Sequence, residues 1–335
     1  MRKILLVLVL NFIAIASFAQ AVVRIVAGTS LQTAINNATA GTTFLVEPGS
    51  YGDIIVSKKV ALIGAGYFLN TNASAGCTNI VFNPGSDNSI ITGFAIARDL
   101  TVGANNITIQ RNQIGRNIDL GWANGTGNIN VGGTVIKQNF INERIYLRSS
   151  GFYGTAATNT LIKNNIILGY ISYDGVNNSG QAINNTILDY NACNQTYEIG
   201  LSMSFVNNII VSNCNFNNTP NGRHSTNNTF TNNLIKTTQF NTTDASNIKV
   251  ENFNNVFVGY PNNNSSTTDG RYQLLSNSPA KGKGIGGVDL GAFGGSEAYV
   301  LQGIPIGPNV LSVVAPTGAA AGQTISVQIQ ARVQN

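Results

Sequence analysis

The 335-residue chain has only 10% charged residues and a net charge of +5, against the ~25% charged residues usual in globular proteins. Its basic residues are dispersed without aromatic interleaving, which excludes a nucleic-acid interface, and its apolar residues (43%) are evenly spread, which excludes an intrinsically disordered chain. Asn, Gly, Thr and Ser supply the polar surface that charges usually provide.

Residues 1–19 join a basic start, Arg2 and Lys3, to a short apolar run from Leu5 to Ile15 and small residues at Ser17 and Ala19. This pattern predicts a secretory signal cut after Ala19, so the protein is expected to be secreted or held at the cell surface. No later stretch approaches the ~18–20 continuous apolar residues of a transmembrane helix, so no membrane span is expected in the mature chain.

Ser30-Leu31-Gln32-Thr33-Ala34-Ile35 reads as a short helix with Ser30 as N-cap and Leu31, Ala34 and Ile35 on one face. It is expected to cap the N-terminal end of the fold. TTFLVEPGSYGDIIV and KKVALIGAG then read as strands about a PGSYGD turn.

From residue 109 onward a repeat appears. IQRNQI, IKQNFI, IKNNII, INNTI, FVNNII, FTNNLI and NFNNVF align on Asn112, Asn139, Asn165, Asn185, Asn208, Asn233 and Asn255. Three residues before the anchor stand Ile109, Ile136, Ile162, Ala182, Phe205 and Phe230. Two residues after it stand Ile114, Ile141, Ile167, Ile187, Ile210, Ile235 and Phe257. The segments are short, β-branched and turn-bounded, so they read as strands. A unit of ~20–27 residues with such short strands cannot bury its own apolar face, but stacked units can. The expected fold is therefore all-β: a right-handed parallel β-helix over residues 20–295, with ten or eleven coils at ~24 residues each. The anchor asparagines are read as coil corners, where Asn tolerates left-handed backbone, and as a ladder whose amides bond from coil to coil.

In the last part, Gly-rich turns and Pro279 end the repeat. VLSVVAP and TISVQIQARVQN then alternate apolar and polar residues about AGQ. Residues 296–335 are expected to form a β-hairpin that caps the C-terminal end of the solenoid, with the start of a truncated sandwich domain as the other reading.

The Leu31–Ile35 helix, Val46-Glu47-Pro48-Gly49-Ser50-Tyr51, Leu62-Ile63-Gly64-Ala65-Gly66 and the NNI-type coils resemble the pectate-lyase-like superfamily of right-handed parallel β-helices. SNSPAKGKG and DLGAFGG resemble the last coil of secreted bacterial β-helix proteins, and QGIPIGPNV resembles those of the Bacteroidetes type. The resemblance covers roughly residues 22–295 and implies the fold; the same coils carry lyases, hydrolases, epimerases, adhesins and inert scaffolds.

Residues 143–198 concentrate the groups that can do chemistry. Counted from their anchors, Arg144, Tyr170 and Tyr190 share one position, and Arg148 and Asp174 share another. Stacking predicts a lateral face just past the third strand. There Arg144, Tyr146, Tyr170, Tyr173 and Tyr190 would contact a sugar, and Arg144, Arg148, Asp174 and Asp189 are the weak acid/base candidates. The polygalacturonase set of NTD, DD, GHG and RIK is absent, and the single histidine, His224, lies outside any GHG. The expected function is a non-catalytic protein presenting an extended surface to a polysaccharide, a surface glycan or another envelope protein. The alternative is a lyase or glycoside hydrolase acting on acidic polysaccharide. No metal or other cofactor is expected, Ca²⁺ entering only with the lyase. Three cysteines are too few for a disulfide scaffold; Cys193 and Cys214 are the better candidates for a single pair, with burial as small apolar residues the other reading.

Overall fold

The computed structural model describes residues 21–68, 74–123, 127–148, 157–174, 179–188, 203–211, 229–237, 245–261, 267–305, 307–314 and 327–334. The expected signal segment, the Cys193–Cys214 pair and His224 lie outside them.

The chain winds into a right-handed parallel β-helix. Each coil contributes one strand to each of up to three sheets. The first and second sheets have ten strands and the third has six, all parallel. Six turns are three-sided among the described residues, fewer than the ten or eleven coils expected; the three after them have a described strand in only the first and second sheets. Stacking places equivalent residues in rows. In the first sheet Phe44, Leu62, Ile91, Ile109, Ile136, Ile162, Ala182, Phe205 and Phe230 are in register. In the second, Cys77, Ile96, Ile114, Ile141, Ile167, Ile187, Ile210 and Ile235 are in register. Both rows belong to one apolar core, every member but Phe230 being buried in it. The helix Leu31–Asn37 starts at Ser30, whose hydroxyl accepts the Thr33 N–H, and it buries Leu31 and Ile35 against the first coils.

The paired asparagines divide their labour. The second of each pair is the ladder. Asn165 Oδ1 accepts both the N–H and the Nδ2 of Asn139 at 2.9 and 3.0 Å, and its own N–H and Nδ2 donate to Asn185 Oδ1. Asn112, Asn139, Asn185, Asn208 and Asn233 repeat this, all at 0% exposure. Each Nδ2 also reaches a backbone carbonyl one coil back, as Asn165 does to Ile136 at 2.8 Å. The corner itself belongs to the residue before the ladder. Arg111, Gln138, Asn164, Asn184, Asn207 and Asn232 have φ between 53° and 58°, and Gly93 (φ 76°) holds the same place one coil earlier. An L residue there is strained by roughly 1–2 kcal/mol, least for Asn.

Asn255 is not a rung. The last ladder member is Asn247, which accepts the Asn233 N–H and Nδ2 at 3.0 and 3.1 Å across a separation of 14 residues. The strand after it, Ile248–Val250, sets Lys249 opposite Ile235, where Phe257 was expected. Asn255 is exposed in a turn, and Phe257 is buried in a second apolar cluster outside the coils.

That second cluster corrects the reading of the C-terminal part. Residues 282–305 are not a last coil: they form a strap that runs back along the outside of the solenoid. The Ile285 N–H donates to Asn207 Oδ1 at 3.0 Å. Asn184 and Asn164 Nδ2 donate to the Gly294 carbonyl at 3.2 and 2.7 Å. Gln138 Nε2 donates to the Ala298 carbonyl at 2.7 Å and Arg111 Nη1 to the Ile304 carbonyl at 3.0 Å. Pro305 ends against Gly93. Corner side chains on successive coils therefore tie down the strap, one coil at a time. Beneath it lie Phe140, Ile166, Ile209 and Leu234, in register on the outer side of the second sheet and packed with Leu290, Ala292 and Tyr299. The two isoleucines of IKNNII are thus both buried, Ile167 in the core and Ile166 under the strap. The hairpin, Gly307–Val314 with Gln328–Gln334, is antiparallel as expected. It begins two residues after Pro305, which stands against Gly93 of the third coil.

Glu297 on the strap bridges Lys137 and Lys163 at 2.7 Å each. Hydrogen bonds from the two lysines pull its pKa from 4.5 down to about 2. A depressed carboxylate stabilises the fold above its unfolded pKa, and that contribution is lost as pH falls from about 4.5 through about 2. Glu297→Gln is therefore expected to be less stable than the parent at pH 7 and to converge with it near pH 2, measured by thermal melts across pH. Parallel curves down to pH 2 would contradict the bridge.

Candidate binding groove on the third sheet

The third sheet is built from Ile54–Val56, Ile80–Phe82, Leu100–Val102, Ile118–Leu120, Ile145–Arg148 and Ile171–Asp174. In each of the first five strands a residue is flanked by two buried ones, as Tyr146 is by Ile145 and Leu147, so Ile55, Val81, Thr101, Asp119 and Tyr146 form an outward row, with Ser172 next in register. Immediately before each strand stands a second ladder: Asp53, Asn79, Asp99 and Asn117. Asp53 Oδ1 accepts the N–H and Nδ2 of Asn79 at 3.1 and 2.8 Å, Asn79 Oδ1 accepts the Asp99 N–H at 3.3 Å, and Asp99 Oδ1 accepts the N–H and Nδ2 of Asn117 at 3.1 and 3.0 Å. The same position is then taken by Arg144 and Tyr170.

Row and ladder together line a cleft of about 380 Å³. Its walls are Asp53, Asn79, Asp99, Thr101, Asp119 and Trp122, with Ile54, Ile55 and Val81 as apolar floor. Trp122 is the only tryptophan of the chain and sits on a short hairpin with Asn128, immediately after the third-sheet strand. The carboxylates are held in place: Asp53 and Asp99 by the ladder, and Asp99 also by Arg116 at 3.3 Å, which lies 3.6 Å from Glu143 as well.

The expected contact between Arg144 and Tyr170 is present, Arg144 Nη1 donating to the Tyr170 hydroxyl at 3.1 Å, with the Arg144 guanidinium 5.0 Å from the Tyr146 ring centre. Burial opposes the Arg144 charge, but the Tyr170 hydroxyl, Asp119 and Tyr146 outweigh it and raise the Arg144 pKa. Gly169, just before Tyr170, is required by close approach: a Cβ there would stand 1.9 Å from the Glu143 carbonyl oxygen. Tyr173 falls in register with Leu147, and Tyr146 with Ser172. Arg148 and Asp174 are backbone partners at the end of the sheet. Asp189 and Tyr190 lie outside the described residues.

Sequence reading missed Asp53, Asn79, Asp99, Thr101, Asp119 and Trp122. The signal was an Asp or Asn directly before a β-branched strand in DII, NIV, DLT and NID, at separations of 26, 20 and 18 residues. Among the described residues no three His, Cys, Asp or Glu side chains are grouped to hold a metal ion. No described helix is long and apolar enough to cross a membrane. No protein-family model matches the chain, and no curated protein matches it.

Proposed function

We propose that this is an exported, non-catalytic β-helix protein whose third sheet offers a groove to a glycan on or outside the cell envelope. The observation that carries the reading is the cleft in which Trp122 stands beside ladder-held carboxylates over an apolar floor. Indole faces stack on the C–H faces of sugar rings, and fixed carboxylates accept hydroxyl protons without first losing rotamer freedom. The rungs repeat at roughly 4.8 Å along the axis, so an extended polymer lying along the groove meets equivalent positions coil after coil. The parallel coil is consistent with a pectate-lyase-like fold; export, the Bacteroidetes type and the signal at residues 1–19 enter this proposal from the sequence alone.

Two carboxylates are committed to the ladder, which argues against acid/base duty for Asp53 and Asp99. The enzymatic alternative rests on Asp119, whose charge acts on Arg144 beside the third sheet. A glycan array combined with reducing-end and unsaturated-product assays separates the two. Binding without new products is expected, and products that vanish in Asp119→Asn would establish the enzyme. Trp122→Ala is expected to weaken glycan binding at least about 10-fold with an unchanged melting temperature. Unchanged affinity would mean that glycan does not bind in this groove.

A further inference from the structure

We infer that the groove selects uncharged polysaccharide and rejects polyuronates, an inference that rests on reading the cleft as a glycan site. Three carboxylates line the cleft, from Asp53, Asp99 and Asp119, and none of its lining residues is basic. Of the counter-charges beside the cleft, Arg116 is shared between Asp99 and Glu143, and Arg144 feels the charge of Asp119, so Asp53 and Asp99 carry the selectivity. A polyuronate carries one carboxylate per sugar. Laid along the axis, it brings like charges against Asp53 and Asp99, which stand two rungs apart on one line. Each close like-charge approach is unfavourable in water and more so where solvent is excluded. A neutral sugar brings hydroxyl donors to the same oxygens, and such bonds to a carboxylate are the stronger, charge-assisted kind. The apolar strip of Ile55 and Val81 suits C–H faces and offers nothing to a charged substituent.

The ladder provides its own control. Asn79 and Asn117 occupy the same row as Asp53 and Asp99, and in every link a single side-chain oxygen accepts from the next rung. Asp53→Asn and Asp99→Asn therefore keep that acceptor and the shape of the rung while removing the charge. The double variant D53N/D99N is expected to fold as the parent does.

The test titrates parent and D53N/D99N with a β-glucan, a xylan, a galactomannan, polygalacturonate and alginate, following Trp122 emission at low and at 0.15 M salt. In the parent a neutral polymer is expected to bind at least about 10-fold more tightly than either polyuronate, with the gap narrowing as salt screens the repulsion. In D53N/D99N the gap is expected to close to within about 3-fold, chiefly by gain on the polyuronates. A parent that binds polygalacturonate or alginate as tightly as any neutral polymer overturns the selectivity while leaving the groove reading intact. A ratio unchanged in the double variant also overturns it, because the carboxylates would then not set the preference. If no polymer perturbs Trp122, the groove reading fails and the selectivity falls with it.

Discussion

Replacing Asn165 by alanine is expected to destabilise the protein by about 3–5 kcal/mol, lowering the melting temperature by several degrees. The truncation removes the acceptor of the Asn139 N–H and the donor to the Ile136 carbonyl, both inside the stack where no solvent replaces them. Each orphaned buried group costs about 1–3 kcal/mol, and the lost side-chain volume adds to this. Asn164→Gly provides the comparison. It gives up the Nδ2 bonds to the Ala292 and Gly294 carbonyls but relieves a left-handed backbone at φ 53°. Its loss is expected to be well below that of Asn165→Ala in the same melts. Equal losses would mean that the two asparagines do not divide corner from ladder.

Ending the chain at Ala280 is expected to abolish soluble monomer. The strap covers Ile166, Ile209 and Leu234, all at 0% exposure, while Phe140 beside them also packs on Phe68 and Tyr272. Burying a side chain of this kind is worth about 1.5–3 kcal/mol, so three together are worth about 5–9 kcal/mol. That is comparable to the whole stability of a typical domain, about 5–15 kcal/mol. Without the strap these residues form an apolar stripe on a β surface, interrupted only at Thr186, which recruits other chains. Size-exclusion chromatography with a hydrophobic dye reads the outcome. A folded, monomeric truncated solenoid that binds no dye would show that the strap is dispensable.

The coil was legible because stacking imposes a period. A row such as Ile109, Ile136 and Ile162 must be apolar wherever the loops between coils differ, so alignment on the anchor recovers it. The last rung was misread for the same reason. NFNNVF around Asn255 repeats the double asparagine and the expected spacing, whereas the true rung at Asn247 comes after only 14 residues and carries a single asparagine. The strap left no periodic mark, because its contacts with the corner side chains span from 78 residues at Asn207 to 193 at Arg111, with Asn164 to Gly294 at 130. The doubled apolar residues of IKQNFI, IKNNII, FVNNII and FTNNLI were the available trace of it. A strand with both faces buried reads as continuous apolar sequence, not as alternation.

At the site, the pairing of Arg144 with Tyr170 was legible because both stand at one position of the coil. Their predecessors in that position were not, because Asp53, Asn79, Asp99 and Asn117 precede the regular repeat or follow it at uneven spacing. The groove therefore lies several coils toward the N-terminus from where the density of charged and aromatic residues pointed.

A single tryptophan in the groove makes glycan occupancy directly measurable. Titrating the protein with neutral polysaccharides while recording Trp122 emission and assaying the same mixtures for new reducing ends reads occupancy and turnover together. A saturable change in emission with no product formed is the expected result for a non-catalytic groove. Glycan captured with no change in Trp122 emission, or product accumulating as emission changes, would contradict it.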